Sequence, residues 1–524
     1  MDTFAKDRLP PRDQWPRLHF DLPDLQYPPR LNCGTVLLDD AVAEGHGDRP
    51  AILSDAGAVS YRELLARANR MANVLVSAGV EPGNRVLLRG YNGWELYAAW
   101  LAVMKAGAIA VTTMPLLRAP ELTAVIGKSR PSVALCDQRL LGELTPVATG
   151  GGVSTVIAWG NGDLESRMAA ASDRFTNADT ASDDVCLLAF TSGTTGKPKA
   201  CVHFHRDVLA MADVVARHLL HTAPGDVYAG SPPLGFTFGL GALLVFPLRF
   251  RAATVPIEAP SPAAVLTAIE KHGVTCLFTA PFAYRALAAE LAGRDLSSLK
   301  RCVSAGEFLP KAVSDLWHER TGIRIIDGIG ATEMIHIFIS AAGEDIRPGS
   351  TGRVLPGYRA CVLDDEGREL PPGSTGRLAV TGPTGCRYLD DPRQRDYVQG
   401  GWNVTGDIYR MDEQGYFWFV SRADDMIISA GYNIAGPEVE WALLAHPAVR
   451  ECAVVGAADG ERGTIVKAFV VTAPGRAADA ALVKELQDFV KGRIAPYKYP
   501  RVIEFLDALP KTATGKLSRK SLRT

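Results

Sequence analysis

The sequence predicts an α/β protein: a large multi-sheet N-terminal domain, made of two α/β subdomains and a small β unit, followed by a small α+β C-terminal domain. Three observations predict it. Up to about residue 350, short apolar runs of strand length alternate with amphipathic helical stretches, the pattern of largely parallel sheets covered by helices. Between about 350 and 420 the texture turns to glycine-rich short strands and hairpins, such as RLAVTG at 377–382 and GYFWFVSR at 415–422. Beyond about 425, a tail of roughly 100 residues carries helices and a strand of its own.

The elements follow in order. Residues 64–76 (LLARANRMANVLV) place apolar positions at helical spacing, and the turn 79–83 leads to a strand at 85–89. A second helix is expected at 95–105 and a strand at 108–112, with short buried strands at 133–136, 155–158, 276–279 and 323–326. In the tail, helices near 437–444 and 480–493 flank a strand near 451–455. No repeat or low-complexity linker is visible. The expected hinge is therefore the short junction 422–425, dividing a domain of residues 1–422 from one of 423–524.

Composition excludes several classes of function. The 524 residues hold 56 Lys+Arg against 58 Asp+Glu, so there is no global basic field for nucleic acid. A hydrophobic share of 47% with 22% charged residues opposes wholesale disorder. The nine cysteines (33, 136, 186, 201, 276, 302, 361, 386 and 452) include no CxxC, and no His/Cys spacing suggests zinc. The N-terminus, MDTFAKDRLPPRDQWPR, has no apolar signal core, so a reduced cytoplasm is expected. The uncharged stretch 227–248 is long enough to test against a membrane. Pro232, Pro233, Pro247 and four glycines interrupt it, so a buried loop-plus-helix segment is expected.

The segment Thr191-Ser-Gly-Thr-Thr-Gly-Lys-Pro-Lys199 carries the strongest chemical signal. It follows a strand candidate at 185–190 and precedes a helical stretch from about Asp207. Thr191, Ser192, Thr194 and Thr195 offer hydroxyls, Gly193 and Gly196 let backbone N–H groups converge, and Lys197 and Lys199 add charge. That set suits a bound polyanion. It is not a Walker A loop, since GxxxxGK[ST] is absent.

The segment resembles the phosphate-binding loop of the adenylate-forming superfamily, which includes acyl- and aryl-CoA ligases, luciferase-like enzymes and peptide-synthetase adenylation domains. Further signatures follow in family order over nearly the whole chain: Gly328-Ile-Gly-Ala-Thr-Glu333, Thr405-Gly-Asp407, Arg422-Ala-Asp-Asp425, GYNIAGPEVE at 431–440 and Pro510-Lys-Thr-Ala-Thr-Gly-Lys516. The resemblance implies ATP, Mg²⁺ and CoA. Asp407 is implied to hold the ribose hydroxyls, as an acceptor-only carboxylate can, although a lone TGD is more often a plain turn. Glu333 is implied to hold Mg²⁺ and Thr332 to donate to the α-phosphate, while Gly306, Glu307, Asp327 and Gly328 surround adenine. Lys516 is the expected catalytic lysine, bridging the acid and the α-phosphate as their charges approach. The resemblance makes the small C-terminal domain mobile, with Asp424 at the family's hinge position; Arg422 is implied to reach nucleotide oxygens and Gly431 to line the CoA tunnel.

The acid itself is read from less. The 227–248 stretch lacks a carboxylate that could partner an α-ammonium, which disfavours amino acids, and Phe236 and Phe238 offer flat apolar surface. Met334-Ile-His336-Ile337, YPPRLNCGTVLLD and TTMPLLRAPEL resemble benzoate- and 2-aminobenzoate-CoA ligases. That resemblance implies a pocket of Thr237, Phe238, Ala305, Gly306, Gly330, His336 and Ile337, with Phe236 where many relatives carry His, Thr or Tyr. The bland alternative for His336 is a packed core imidazole. The expected enzyme is an AMP-forming aryl-CoA ligase, monomeric or homodimeric, without nucleic-acid or membrane partners. A stand-alone enzyme loading a carrier protein in trans, or a silent nucleotide-binding module, are the alternatives.

Overall fold

In the computed structural model, five apolar runs align as parallel strands and a sixth returns antiparallel. Their order is Thr155–Trp159, Val133–Asp137, Arg85–Arg89, Ile109–Thr113, Val185–Thr191 and Lys199–Phe204. Every residue of the strands Arg85–Arg89, Ile109–Thr113 and Val133–Asp137 is buried, as expected of parallel strands covered on both faces. The structure describes residues 1–191, 198–429, 432–459, 463–494, 496–512 and 517–523.

A second sheet has nine strands, ordered Arg353–Val354, Ile337–Ser340, Ile325–Gly330, Arg301–Ser304, Cys276–Thr279, Val227–Gly230, Ala253–Val255, Pro50–Ser54 and Gly57–Ser60. Its centre is parallel and its outermost pairs are antiparallel hairpins. The strand expected at 323–326 instead begins at Ile325 and continues to Gly330. Its extension pairs with Ile337–Ser340. The helices start where local chemistry predicts. Ser60 and Glu63 form a reciprocal cap on Tyr61–Ser77, and Ser261 caps Pro262–His272, which ends at Gly273 in the left-handed region.

Helix Trp94–Lys105 is buried on nearly all sides, including the Lys105 ammonium, which meets both oxygens of Asp39 at 2.6 and 2.5 Å. The uncharged 227–248 stretch is a strand, a turn and short helical segments beginning at Thr237. A Cβ at Gly239 would lie 2.2 Å from the Pro233 carbonyl oxygen, so this fold-back requires glycine. Among the described residues, no helix is long and apolar enough to cross a membrane.

The chain divides into two compact units, one of residues 1–360 and 380–403, the other of 361–379 and 404–524. In the second, Asp407–Met411 pairs antiparallel with Phe417–Arg422, and the strand hairpin Met426–Ser429 with Tyr432–Ala435 follows. Val449–Asp459, Gly463–Thr472 and Val502–Phe505 then form a three-stranded sheet. Val439 and Leu443 of helix Gly436–Leu444, with Leu482, Leu486 and Val490 of Ala480–Lys491, share one apolar core with that sheet.

Candidate active site

Strands Val185–Thr191 and Lys199–Phe204 bring Thr191 and Lys199 together as cross-strand partners at the mouth of the hydroxyl-rich loop. Ser192, Gly193, Thr194, Thr195, Gly196 and Lys197 lie outside the described residues. Side chains alternate along a strand, so Lys199 and His203 of Lys199–Phe204 share a face. That face meets the single turn Thr332–Met334 at two points.

At the first, the Lys199 ammonium donates to the Tyr388 hydroxyl at 2.9 Å, and Tyr388 in turn donates to Glu333 Oε1. Tyr388 is fully buried. Burial and then the negative charge of Glu333 hold its hydroxyl far above the ordinary phenol range, which keeps it protonated and donating. Its backbone is fixed as well: Gln394 Oε1 accepts the Tyr388 N–H at 2.8 Å, and 386–389 runs beside the strand through Val202 N–H to Arg387 O (2.8 Å) and Leu389 N–H to Ala200 O (2.9 Å). Tyr388 uses one acceptor position of Glu333, and a carboxylate has about four. Glu333 therefore fits a cation ligand held in place by a neighbour.

At the second point, His203 Nε2 lies 2.8 Å from the Thr332 carbonyl oxygen and donates to it. On the far side of the ring, Nδ1 is 3.9 Å from Asp207, which pairs with Arg387. His203, Asp207 and Arg387 are all fully buried. Burial alone would raise the Asp207 carboxyl, but Arg387 and His203 outweigh it and hold it below the ordinary carboxylate range. The turn is then closed by Ile335 at φ 65°, an uncommon conformation for a β-branched residue. Thr384 Oγ1 secures it by donating to Met334 O at 2.8 Å.

The expected adenine and acid residues gather where parallel strands end, the usual ligand edge of such sheets. Ser304 pairs with Asp327 across adjacent strands, so Ala305, Gly306 and Glu307 follow one strand end beside Asp327 and Gly328 on the next. Gly306 has φ +89°. Burial pushes the Asp327 carboxyl up to about 8 against a hydrogen bond from Gly328, and its Oδ1 has no hydrogen-bond partner among the described residues. Gly328 and Gly330 are packed closely: a Cβ would lie 2.8 Å from the Ile337 side chain at the first and from the His336 backbone at the second.

His336 is buried and neutral, its pKa pushed down to about 3 by burial. Nε2 faces the Phe238 carbonyl at 3.4 Å, and the ring packs edge-on against Phe246 with centroids 4.6 Å apart. Phe238 also packs against Phe278, with centroids 5.6 Å apart. Phe236 and Thr237 stand at the start of the short helix Thr237–Leu240.

Asp407 and Arg422 belong to the second unit. They are cross-strand partners, with Arg422 Nη1 donating to Asp407 Oδ1 at 2.7 Å. Asp424 lies in the turn Ala423–Asp425, where Asp425 is salt-bridged to Arg523 at 2.5 Å. Gly431 and Lys516 lie outside the described residues. Lys511 and Leu517 form a β-bridge that brackets the segment containing Lys516.

Sequence reasoning missed Tyr388, His203, Asp207, Arg387 and Gln394. The even spacing of Lys199 and His203 in a strand was the one available signal; Tyr388 and Gln394 had none.

A model of the family described as AMP-binding enzyme matches residues 39–387, and one of the AMP-binding enzyme C-terminal domain matches 438–516. A benzoate–CoA ligase of Thauera aromatica is 38% identical over 518 residues, covering 96% of this chain and 97% of that protein. The crystal structure of an anthranilate CoA ligase in complex with anthranoyl-AMP superposes with a TM-score of 0.91 at 34% identity, covering 96% of this chain and 98% of that one. A benzoate CoA ligase from Burkholderia xenovorans LB400 gives a TM-score of 0.86 at 32% identity, covering 94% and 100%.

Proposed function

Because the chain belongs to the AMP-binding enzyme family and is an AMP-forming acid–thiol ligase, we propose that its acid is a single-ring aromatic carboxylate, benzoate or 2-aminobenzoate. The acid attacks the α-phosphorus of ATP to give an aryl adenylate and pyrophosphate. The CoA thiol then displaces AMP to give the aryl-CoA thioester. The observation that carries the acid assignment is the neutral His336 set among Phe238, Phe246 and Phe278. Such a wall favours a flat uncharged ring and offers no counter-charge to an ammonium. The relatives named for benzoate and anthranilate support the same reading.

The roles divide as follows. Thr191, Lys199 and the loop between them hold the phosphates, and Thr332 donates to the α-phosphate. Mg²⁺ bound at Glu333 would neutralise phosphate charge. Tyr388 orients the Glu333 carboxylate, and His203 fixes the Thr332 carbonyl. Asp407 receives the ribose hydroxyls, with Arg422 as its charge partner. Lys516 bridges the acid and phosphate oxygens as charge develops. Residues 423–524 act as a lid turning at Asp424, which exchanges Lys516 for Gly431 and the CoA thiol between the half-reactions.

The test is AMP release across benzoate, 2-aminobenzoate, hydroxybenzoates, cinnamates and medium-chain fatty acids, with CoA and a carrier protein compared as acceptors. Single-ring acids with CoA should lead. A best substrate longer than one ring would overturn the acid assignment, and a preference for the carrier would overturn CoA.

A further inference from the structure

Away from the nucleotide and acid residues, Cys33, Cys186 and His205 converge inside the first unit. One ligand atom from each, two thiol sulfurs and a ring nitrogen, lies within 4.8 Å of the other two. All three residues are fully buried. His205 Nδ1 is 3.1 Å from Cys33 Sγ and also 3.1 Å from the Cys33 backbone nitrogen, while Nε2 has no hydrogen-bond partner among the described residues.

Each group comes from a braced element. Asn32 holds the Cys33 segment by donating to Met104 O at 2.7 Å and accepting the Gly34 N–H at 3.0 Å. Thr180 O accepts the Leu31 N–H at 2.9 Å. Cys186 sits in strand Val185–Thr191, in the interior of the six-stranded sheet, and His205 opens helix His205–Met211. Two sulfurs and an imidazole presented by three fixed elements amount to a built donor set.

We propose that Cys33, Cys186 and His205 form a binding site for a thiophilic d¹⁰ cation, with Zn²⁺ as the charge-matched ion. Zn²⁺ takes thiolate at about 2.3 Å and imidazole at about 2.0–2.1 Å, so a tetrahedral site separates its ligand atoms by roughly 3.5–3.8 Å. The three ligand atoms lie within 4.8 Å of one another, and the 3.1 Å between His205 Nδ1 and Cys33 Sγ would open by about 0.5 Å to reach that separation. Two thiolates balance the divalent charge, and an apolar interior accepts the neutral cluster far better than it accepts a lone thiolate or imidazolium. Binding releases both thiol protons and replaces the Cys33 N–H contact at Nδ1. Mg²⁺ and Ca²⁺ require oxygen ligands, which this set lacks, so the site is chemically separate from any ion at Glu333. Spacing along the sequence showed no such cluster because its three members come from distant segments.

The test uses the full-length protein prepared without a metal-binding tag and reconstituted separately with Zn²⁺, Cu⁺, Co²⁺ or Mg²⁺. The expected results are one equivalent of Zn²⁺ retained through gel filtration, thiolate-to-cobalt charge-transfer absorption with Co²⁺, and no retention of Mg²⁺. Cys33→Ala and Cys186→Ala should each abolish the cobalt band, whereas Cys276→Ala, a buried cysteine of the other sheet, should keep it. Stoichiometric Cu⁺ without Zn²⁺ would overturn the charge-matching argument. Far less than one equivalent of any thiophilic ion on the folded wild-type chain, or a cobalt band surviving in both variants, would overturn the site. Air oxidation to a Cys33–Cys186 disulfide without metal uptake would also overturn it, in favour of a redox pair.

Discussion

Tyr388 donates its phenolic hydrogen to Glu333 while the same oxygen accepts from the Lys199 ammonium. One buried hydroxyl thus ties Lys199, at the end of the hydroxyl-rich loop, to the proposed metal carboxylate. Tyr388→Phe keeps the ring and removes only this link, a hydrogen bond to a charged group worth about 1.5–3 kcal/mol. The Mg²⁺ concentration for half-maximal AMP formation should rise about tenfold or more, with the melting temperature little changed. An unaltered Mg²⁺ titration would show that Glu333 needs no such support.

Gly241 faces His336. A methyl group there would lie 2.5 Å from Cδ2 and 2.7 Å from Nε2 of the imidazole. Gly241→Ala should therefore displace the ring and raise KM for the aromatic acid by about tenfold, the usual scale of one methylene in an apolar site. KM for ATP should stay where it is. Steady-state kinetics with each substrate varied in turn decides it, and equal changes in both constants would take His336 out of the acid pocket.

The Asp327 carboxyl titrates near 8 in the folded chain, against 3.8 as its ordinary value. Between those values the folded state holds a proton that the unfolded state has lost. The contribution of this group is full below about pH 4 and falls away as pH rises toward 8. Asp327→Asn removes the titration. Relative to the wild type, its unfolding free energy should gain up to about 4 kcal/mol between pH 5 and pH 8. Parallel pH dependences in denaturant melts of the two proteins would contradict this.

Lys516 and Gly431 are assigned to opposite half-reactions. Lys516→Ala should slow adenylate formation by orders of magnitude yet spare thioester formation from supplied aryl-AMP, and Gly431→Leu should do the reverse. Pyrophosphate release and aryl-AMP consumption, measured separately, report the two steps. Equal slowing of both steps in both variants would remove the alternating-lid reading.

The fold was legible because its signals are local. Residues 85–89 and 133–136 are apolar runs of strand length, and both occur as fully buried strands. The 227–248 stretch announced its break through proline and glycine, and it folds back at Gly239. Of the candidate site, the sequence displays what is contiguous, the motifs at Thr332–Glu333 and Thr405–Asp407. The site was illegible where partners meet across the fold. Nothing near Tyr388 in the sequence indicates that it reaches both Lys199 and Glu333, and nothing near Asp207 indicates Arg387. The cysteine pattern is silent for the same reason, since Cys33 and Cys186 lie far apart in the sequence and meet only in the fold.

Strand Lys199–Phe204 carries two attachments to one turn, Lys199 through Tyr388 and His203 through the Thr332 carbonyl. Both depend on parity, because neighbouring positions of a strand point to opposite faces. Inserting or deleting a single residue among Ala200, Cys201 and Val202 would turn one of the two away from the turn, whatever residue was chosen. Substitutions at these three buried positions are constrained by size and polarity, whereas their number is constrained absolutely. The strand acts as a molecular ruler whose length, more than its composition, sets the spacing of the two attachments along the turn Thr332–Met334.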